Sequence, residues 1–305
     1  MSPKDLISIY DLTPAVIEGI LERAEYLKKN PVQTVLQGKS IGLLFTKLST
    51  RTRVSFQVGM HQLGGNAIFL SDREIQLKRG ESIADTGRVL SRYLDALVVR
   101  TYSHNDLTEL AACSSIPVIN GLTDLLHPCQ VLSDMFTIRE RFGRVNGIKV
   151  VYLGDGANNM ANSWIYGASK MGMKLVIATP PAYQPDEEII NRGKTAASVG
   201  PGCVVVENDP GKAVRDADVL YTDVWVSMGQ EEEAKERLEV LKPYQLNQSL
   251  LKQANKDAIV MHCLPAHREE EISAEAIDGP QSVVLDQAEN RLHVQKAILM
   301  HLLGM

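Results

Sequence analysis

A short polar run in the first third of the sequence has the residue types of an anion site. Residues 49–53, Ser-Thr-Arg-Thr-Arg, lie between an apolar stretch at 41–45 and a segment whose apolar residues fall near helical spacing. This layout predicts a strand, a turn and a helix. A helix N-terminus presents unpaired backbone N–H groups and the positive end of the helix dipole, so hydroxyl and guanidinium groups placed there suit a phosphate-sized dianion.

The two arginines of this run are two positions apart, and side chains two apart on a helix point in different directions. We therefore assign Arg51 to the ligand, where it can form a bidentate pair with phosphate oxygens, and expect Arg53 to form a structural ion pair. Taken alone, the run is also consistent with Ser49 or Thr50 acting only as a helix cap beside two solvated arginines.

Two further polar residues stand where ligands bind in parallel sheets. Arg100 ends the apolar run 96–99, a predicted buried strand, and the carboxyl ends of such strands form the ligand edge. His127 precedes Pro128, which fits the first turn of a helix. An imidazole at a helix N-terminus is kept neutral and can donate a hydrogen bond to a carbonyl oxygen. A capping histidine with only a structural role fits the same pattern.

The second half of the chain offers groups suited to an amino acid. Asp223 follows a predicted strand at 218–222, and Asp223 with Ser227 could hold an α-ammonium group while Met228 covers an apolar stem. Cys263 follows the predicted strand 258–262, which makes it a candidate polar contact. The alternatives are a strand-end aspartate that caps a helix and a buried core thiol.

Gly154, Asp155 and Gly156 begin like a dinucleotide-binding fingerprint. However, Asn159 occupies the position of its third glycine, and residues 174–179 lack the acid that would hold a ribose. The sequence therefore argues against a nicotinamide cofactor. Asn159 instead offers an amide donor at a helix start, which suits a carboxylate.

Composition excludes several classes of function. The chain has 305 residues and a formal net charge of -5, which disfavours nucleic acid as a partner. No apolar run approaches the length of a membrane span, and the acids Asp5, Asp11 and Glu18 disfavour a signal or transit peptide. We therefore expect a cytoplasmic protein. The four cysteines form no C-x-x-C pair, so neither a zinc site nor a disulfide framework is predicted.

The elements that must position these residues alternate between strands and helices in both halves. This alternation predicts an α/β fold with two doubly wound parallel-sheet domains and an active-site cleft between them. We place the first domain at 1–143, joined by the C-terminal helix 286–305, and the second at 144–285. Within them we predict a strand at 116–119 that ends in a turn at Asn120 and Gly121, a polar loop at 71–80 and a last strand at 282–285.

Five motifs together resemble the aspartate/ornithine carbamoyltransferase family in order and spacing, over essentially the whole chain. They are the run 49–53, Arg100-Thr101, His127-Pro128-Cys129-Gln130, Asp223 with Ser227-Met228-Gly229, and His262-Cys263-Leu264-Pro265. The resemblance implies transfer of a carbamoyl group from carbamoyl phosphate to L-ornithine, giving citrulline and phosphate, without metal or organic cofactor.

The resemblance also implies a role for individual residues. Carbamoyl phosphate would be bound by Ser49, Thr50, Arg51, Thr52, Gln76, Arg100, His127, Gln130, Cys263, Leu264 and Arg291. Ornithine would be bound by Asn159, Asp223, Ser227 and Met228. The catalytic residues would be Arg100, His127, Asp223 and Cys263, with Arg100, His127 and Thr52 stabilising the oxyanion. Either Asp223 or Cys263 would take the proton from the ornithine amine, and the residues leave that choice open.

Other expectations concern assembly and physiology. In the family, Gln76 enters a neighbouring subunit's site, which implies a homotrimer or an assembly of trimers. We also expect residues 226–236 to close after both substrates bind. Arginine biosynthesis is the default role, whereas arginine breakdown uses the same chemistry. Alternatives are a carbamoyltransferase for putrescine or an N-acylated ornithine, and a non-catalytic paralogue that senses ligands.

Overall fold

Two parallel β-sheets organise the chain. The computed structural model describes residues 4–71, 80–196, 203–226 and 234–305, apart from the side chain of residue 203. One unit comprises Met1–Phe136 with Glu289–Met305, and the other comprises Thr137–Ala288. The chain passes from one unit to the other inside two helices, near residues 136 and 289.

The first unit contains a four-stranded sheet. Its strands are β1 (Ser40–Phe45), β2 (Asn66–Ser71), β3 (Ala96–Arg100) and β4 (Val118–Leu122). They are all parallel and lie in the order β2-β1-β3-β4. Leu6 pairs with Ile119 and thereby adds the N-terminal segment to the edge strand β4.

Six helices accompany this sheet along the chain. They are α1 (Pro14–Lys29), α2 (Thr50–Gln62), α3 (Ile83–Leu90), α4 (His104–Cys113), α5 (Pro128–Phe142) and, from the end of the chain, α12 (Val284–Leu302). Helix α1 shows why they form where they do. Thr13 caps it by accepting a hydrogen bond from the Val16 N–H, Pro14 occupies the first helical position, and its buried residues recur at helical spacing.

The second unit contains a five-stranded parallel sheet in the order β7-β6-β5-β8-β9. Its strands are β5 (Lys149–Leu153), β6 (Lys174–Ala178), β7 (Cys203–Glu207), β8 (Val219–Thr222) and β9 (Ile259–His262). Its helices are α6 (Asn159–Met171), α7 (Glu187–Ala196), α8 (Pro210–Ala213), α9 (Ala234–Leu241), α10 (Gln248–Leu251) and α11 (Ala274–Ile277). The predicted α/β class with two doubly wound parallel sheets is thus confirmed.

Two local predictions were wrong. The segment at Asn120 and Gly121 is not a turn, because β4 continues through it; the buried Asn120 side chain donates to the Ile7 carbonyl oxygen at 3.0 Å. Residues 282–285 are not a strand. Ser282 forms only an isolated bridge with Val260, and α12 already begins at Val284.

The strand orders fix where ligand sites can lie in each sheet. In the first sheet the chain winds outward from β1 to β2 and then resumes on the other side of β1 with β3. In the second sheet β5 and β8 are the corresponding neighbours. Such a reversal leaves a crevice at the carboxyl ends of the two strands, where ligands of doubly wound folds bind. Among the described helices, none combines the length and apolar composition that a bilayer span needs.

Candidate functional site

The reversal point of the first sheet carries the start of α2. The loop after β1 lies beside the end of β3, since the Thr46 N–H donates to the Arg100 carbonyl oxygen at 2.9 Å. Ser49 caps α2 by accepting from the Thr52 N–H at 3.2 Å. Ser49 therefore does act as a helix cap, which is the alternative role considered above for this run. It does not exclude an anion site, because the cap leaves other N–H groups of the first turn available.

The two arginines of the run separate as expected. Arg51 is half-buried and close enough to His127 for its charge to influence that imidazole. Arg53 is exposed, and its guanidinium carbon lies 3.6 Å from the centroid of the Phe69 ring. Within the described part of the chain, the contact that the structure gives Arg53 is with this ring on β2, and its predicted ion pair stays a prediction. A guanidinium stacks favourably on an aromatic face, so the contact holds the Arg53 side chain against Phe69.

His127 lies close enough to three guanidiniums for their charges to act on its imidazole. Its side chain is buried, and the pKa of the imidazole is held well below 6.5 by burial first and then by the charges of Arg291, Arg100 and Arg51. The imidazole is therefore neutral at pH 7, as predicted from its place before α5. Three cations around one neutral ring create a strongly positive site, which favours an anionic ligand.

Arg291 links three helices of the first unit. From α12 it donates to Gln130 Oε1 on α5 at 2.6 Å and to Thr52 Oγ1 on α2 at 2.6 Å. Gln130 in turn donates to Asp134 Oδ1 at 2.8 Å, one helical turn further along α5. All four side chains are buried. The structure thus brings Thr52, Gln130 and Arg291 together, although they are far apart in the sequence.

The neighbouring thiol of Cys129 is structural. It is buried and donates to the Asn120 carbonyl oxygen at 3.4 Å, and burial raises its pKa to about 12. A thiol in that state is not a nucleophile near pH 7. Cys129 therefore helps to seat α5 against β4.

Asp223 and Cys263 meet at the carboxyl ends of β8 and β9, next to the reversal point of the second sheet. Asp223 follows β8, Cys263 follows β9, and the thiol donates to Asp223 Oδ1 at 2.9 Å. The Val224 N–H donates to the same oxygen at 2.8 Å. Both side chains are half-buried. A carboxylate held through one oxygen can offer the other to a cationic ligand.

The amide groups at the start of α6 divide their roles. Asn158 is the cap: its Oδ1 accepts from the Met160 and Ala161 N–H groups at 3.0 and 2.9 Å, and its Nδ2 donates to the Tyr152 hydroxyl at 2.8 Å. Asn159 is the first helical residue and is half-buried. Because Asn158 is committed to capping, Asn159 is the better of the two candidates for a ligand carboxylate.

Tyr152 is a buried neighbour of Asp223. Its ring stacks on that of Tyr221 with centroids 5.7 Å apart. Burial, and next the charge of Asp223, raise the pKa of Tyr152 well above 10. The phenol therefore stays protonated. Part of the negative potential at its oxygen comes from Asp223, in the predicted ornithine site.

A buried ion pair between Arg237 and Asp155 lies at the carboxyl-end edge of the second sheet. Arg237 on α9 bonds Asp155, which follows β5, and also donates from Nε to the Trp225 carbonyl oxygen at 2.7 Å. Burial raises the pKa of Asp155 in spite of the Arg237 charge. The charge of Asp223 also raises the pKa of Asp155, so the pair lies near the predicted ornithine site.

The segment after β9 is held by a histidine and a glutamate. His262 is fully buried; its Nδ1 accepts from the Leu264 N–H at 2.9 Å and its Nε2 lies 3.0 Å from Glu271 Oε1. Leu264 has φ of 58°, a conformation that is costly for a leucine and needs such support. The backbone that carries Cys263 and the Leu264 carbonyl is thus fixed by residues that never reach the ligand edge.

Asp223, His262 and Cys263 also place one potential metal-ligand atom each within 4.8 Å of one another. His262 is a poor ligand, however, since both ring nitrogens already have partners in Leu264 and Glu271. A metal at this point would have to break the contacts that hold residues 262–264.

Three of the predicted site residues lie outside the described part of the chain. They are Gln76, Ser227 and Met228. The predicted closing segment 226–236 also falls mostly outside it.

Comparison with known proteins gives the same family for both halves of the chain. The carbamoyl-P binding domain of "Aspartate/ornithine carbamoyltransferase" matches residues 4–140, and the Asp/Orn binding domain of the same family matches residues 146–302. The chain belongs to the aspartate/ornithine carbamoyltransferase family.

Relatives within this family match over nearly their whole length. The chain is 57% identical over 300 residues to the ornithine carbamoyltransferase of Syntrophus aciditrophicus, with 97% of this chain and 98% of the relative covered. It is 50% identical to the anabolic ornithine carbamoyltransferase of Pyrococcus furiosus, with 100% and 98% covered. The solved ornithine carbamoyltransferase from the same organism superposes with a TM-score of 0.94 at 51% identity, covering 98% of this chain and 97% of that one.

Sequence reasoning missed the residues that support the site rather than line it. Asp134, Tyr152, Glu271 and Arg237 were not singled out, and Asp155 was named only as part of a glycine motif. Of these, only Asp134 carried a usable signal, because it stands four residues after Gln130 on one helix and so faces the same side. The others are joined by contacts between distant elements, which spacing along the chain does not reveal.

Proposed function

We propose that the chain is an ornithine carbamoyltransferase, which moves the carbamoyl group of carbamoyl phosphate to the δ-nitrogen of L-ornithine and releases citrulline and phosphate. The observation that supports it most is the contrast between two ligand edges: Arg51, Arg100 and Arg291 surround a neutral His127 in one unit, and Asp223 bonds Cys263 in the other. The names of the relatives agree with this assignment.

The phosphate half of the donor belongs at the start of α2. Ser49, Thr50, Arg51 and Thr52 supply N–H groups, hydroxyls and a guanidinium, which together match a dianion. Arg291 is already oriented toward this point through its bond to Thr52.

The carbonyl half of the donor gains negative charge when the amine attacks. Arg100, the neutral His127 and the Thr52 hydroxyl are the donors that would stabilise that oxyanion. The carbamoyl NH2 would donate to Gln130 Oε1, which accepts one bond from Arg291 and has a second lone pair. The Leu264 carbonyl oxygen would accept the other N–H, with Cys263 beside it. Three fixed cations at this place lower the barrier without any covalent intermediate on the protein.

The attacking amine must lose a proton. An alkyl amine with a pKa near 10.4 is only about one part in a thousand neutral near pH 7.4. Two protons therefore leave this nitrogen. Asp223, or Cys263 as its thiolate, accepts the first, which frees the lone pair for attack; the departing phosphate accepts the second after the new C–N bond has formed and the C–O bond has broken. Positioning and oxyanion stabilisation then account for the chemistry.

Selection of ornithine follows from the charges at its α-carbon. Its α-carboxylate suits Asn159, and its α-ammonium suits Asp223 with Ser227, while Met228 covers the apolar stem. Putrescine keeps an ammonium group for Asp223 but lacks the carboxylate, so it would leave the Asn159 amide without its charged partner, which costs on the order of 1 to 3 kcal/mol. An N-acylated ornithine would lose the ammonium charge, and aspartate would bring a second carboxylate to an acidic place.

The remaining proposals concern organisation and context. The first domain comprises 1–143 with the helix 286–305, and the second comprises 144–285. The subunits form a homotrimer or an assembly of trimers in which Gln76 reaches a neighbouring site. The enzyme is cytoplasmic and acts in arginine biosynthesis, in keeping with the anabolic name of the Pyrococcus furiosus relative.

The test is a citrulline assay with carbamoyl phosphate and, in parallel, ornithine, lysine, putrescine, Nα-acetylornithine and aspartate, each with product analysis. We expect turnover with ornithine to exceed that with every other amine by at least roughly 100-fold, because each of the others either changes a charged group at the α-carbon or, for lysine, places the reacting amine one methylene further away. Equal or faster turnover of another amine would overturn the assignment to ornithine. Tight binding of either substrate without product would instead support the sensing paralogue.

A further inference from the structure

A fully buried lysine lies on the helix that carries Arg291. Lys296 of α12 has no exposed surface. Its Nζ donates to the Pro31 carbonyl oxygen at 3.0 Å, to Gln62 Oε1 at 2.8 Å and, more weakly, to the Leu27 carbonyl oxygen at 3.4 Å. A lysine is almost never buried to this extent without a partner for its charge.

The partners of this ammonium are uncharged oxygens at two helix ends. Leu27 lies in the last turn of α1, and Gln62 is the last residue of α2. The C-terminus of a helix carries partial negative charge, so two such ends stabilise a cation without a carboxylate. Burial lowers the pKa of Lys296 from 10.5 to about 8, which still leaves the group mostly protonated at pH 7. The charge is thus retained inside the first unit.

The stem of the same lysine sets the spacing between α12 and α2. A Cβ added at Gly59 of α2 would lie 3.1 Å from Lys296 Cγ and 3.5 Å from a methyl group of Leu292. The two helices therefore approach closely because Gly59 has no side chain. Lys296 fills the contact with its methylenes and bonds Gln62 with its ammonium.

Arg291 joins the same two helices at the other end of the contact. Arg291 bonds Thr52 in the first turn of α2, and Lys296 contacts Gly59 and Gln62 in its last turns. Both sets of residue numbers rise together, so the helices run in the same direction along this contact. The two attachment points on α12 are five residues apart, about 7.5 Å along a rigid helix. A shift of α12 at Lys296 is therefore passed on to Arg291.

We propose that Lys296 is a positioning residue for Arg291, which holds α12 in register with α2 so that the guanidinium meets Thr52 and Gln130. The inference rests on the proposed function, since it makes Lys296 a determinant of carbamoyl phosphate affinity. It assigns no contact with substrate to Lys296. An apolar side chain of similar length would keep the packing against Gly59 but leave the buried oxygens of Leu27, Pro31 and Gln62 without their donor.

The first experiment compares Lys296→Met with Leu299→Ala. Leu299 is also fully buried on α12, one turn further from Arg291, and its truncation provides a control for general loss of stability. Binding of inorganic phosphate is measured by calorimetry, and KM for both substrates and kcat by the citrulline assay. For Lys296→Met we expect phosphate affinity and KM for carbamoyl phosphate to worsen roughly 10-fold, since small misplacements of a binding group have effects of at least this size. KM for ornithine should stay unchanged, and Leu299→Ala should lower the melting temperature without changing phosphate affinity.

A double-mutant cycle separates positioning from a general effect. If Lys296 acts through Arg291, Lys296→Met should have no further effect on phosphate affinity in an Arg291→Gln background. An undiminished effect in that background would overturn the inference. So would equal losses of phosphate affinity in Lys296→Met and Leu299→Ala.

A milder variant keeps the test decisive if Lys296→Met does not fold. Gln62→Leu removes one acceptor of the ammonium and should weaken phosphate binding by roughly 3-fold, in proportion to one lost bond. Unchanged affinity in Gln62→Leu would contradict the inference. The phosphate measurement needs no turnover, so a wild-type protein that forms no citrulline would disprove the proposed function while this test of Lys296 would still apply.

Discussion

Both sheets are parallel and doubly wound, but the side chains at their carboxyl-end edges carry opposite charges. In the first unit, three arginines surround His127 beside the start of α2. In the second unit, the carboxylate of Asp223 accepts from Cys263, and the nearby Arg237 is already paired with Asp155. The strand order therefore decides where each ligand site lies, and the side chains after the strands decide which charge it accepts.

The two edges also differ in how their groups are held. Asp223 and Cys263 are fixed by neighbours in the sheet and by the backbone of residues 262–264. Arg291 reaches its place from the end of the chain, through α12. A site assembled from residues 52, 130 and 291 depends on the packing of three helices, so changes far from the ligand can weaken it.

The largest effect is expected when one cation, Arg51, is removed from the ligand edge of the first sheet. Arg51→Ala should lower kcat/KM for carbamoyl phosphate by roughly 1,000-fold, because it removes a charged donor from the dianion and from the developing charge. Arg53→Ala is the matched control: the same residue type two positions on, exposed and stacked on Phe69. Its effect should stay within about 3-fold, the scale of an exposed cation–π contact. Similar losses in both variants would show that the run is not the anion site.

Removing the negative charge of Asp223 from the ligand edge of the second sheet should weaken the binding of ornithine. Asp223→Asn keeps the size of the side chain but withdraws the partner of the α-ammonium, so KM for ornithine should rise roughly 100-fold. Affinity for inorganic phosphate, measured by calorimetry, should not change. A variant that lost phosphate binding while keeping its ornithine KM would reverse the roles assigned to the two edges.

The smallest predicted effect is on the pH dependence of stability, and it concerns the neutral His127. Burial and the three arginines hold the pKa of His127 well below 6.5 in the folded state. As the pH falls below 6.5, the unfolded chain takes up a proton at this residue that the folded chain does not, so stability falls. The contribution of this residue is about 1.4 kcal/mol for each pH unit below 6.5, until its folded pKa is reached.

His127→Gln should therefore reduce the acid-induced loss of unfolding free energy between pH 6.5 and 5, measured by denaturant titration at each pH. Near pH 7.5 the unfolding free energies of the two proteins should differ by an amount that does not change with pH. Parallel pH dependences in the wild type and the variant would mean that His127 titrates normally and that the arginines do not surround it.

Local signals were sufficient to predict much of this molecule. The apolar runs and the cap at Ser49 located helices and strands, because those signals lie within a few residues of each element. The same reasoning placed Arg100, Asp223 and Cys263 at strand ends. It failed at 282–285, where an apolar sequence pattern of strand type lies at the start of a long helix.

The supporting contacts could not be predicted in this way. Lys296 reads as an ordinary polar residue of a C-terminal helix, and only the folded structure shows that it is buried between α1 and α2. The contact of Arg53 with the ring of Phe69 was likewise not predicted, since that ring lies in another element. Such contacts join residues that are distant in the sequence, and propensity and spacing carry no information about them.

The most direct test of the central claim is a crystal structure with a single molecule that joins a phosphonate, through an acetyl link, to the δ-nitrogen of ornithine. The account predicts that the phosphonate bonds Arg51 and the N–H groups at the start of α2, and that the α-ammonium bonds Asp223. A phosphonate turned away from Arg51, or an α-ammonium bound away from Asp223, would contradict it.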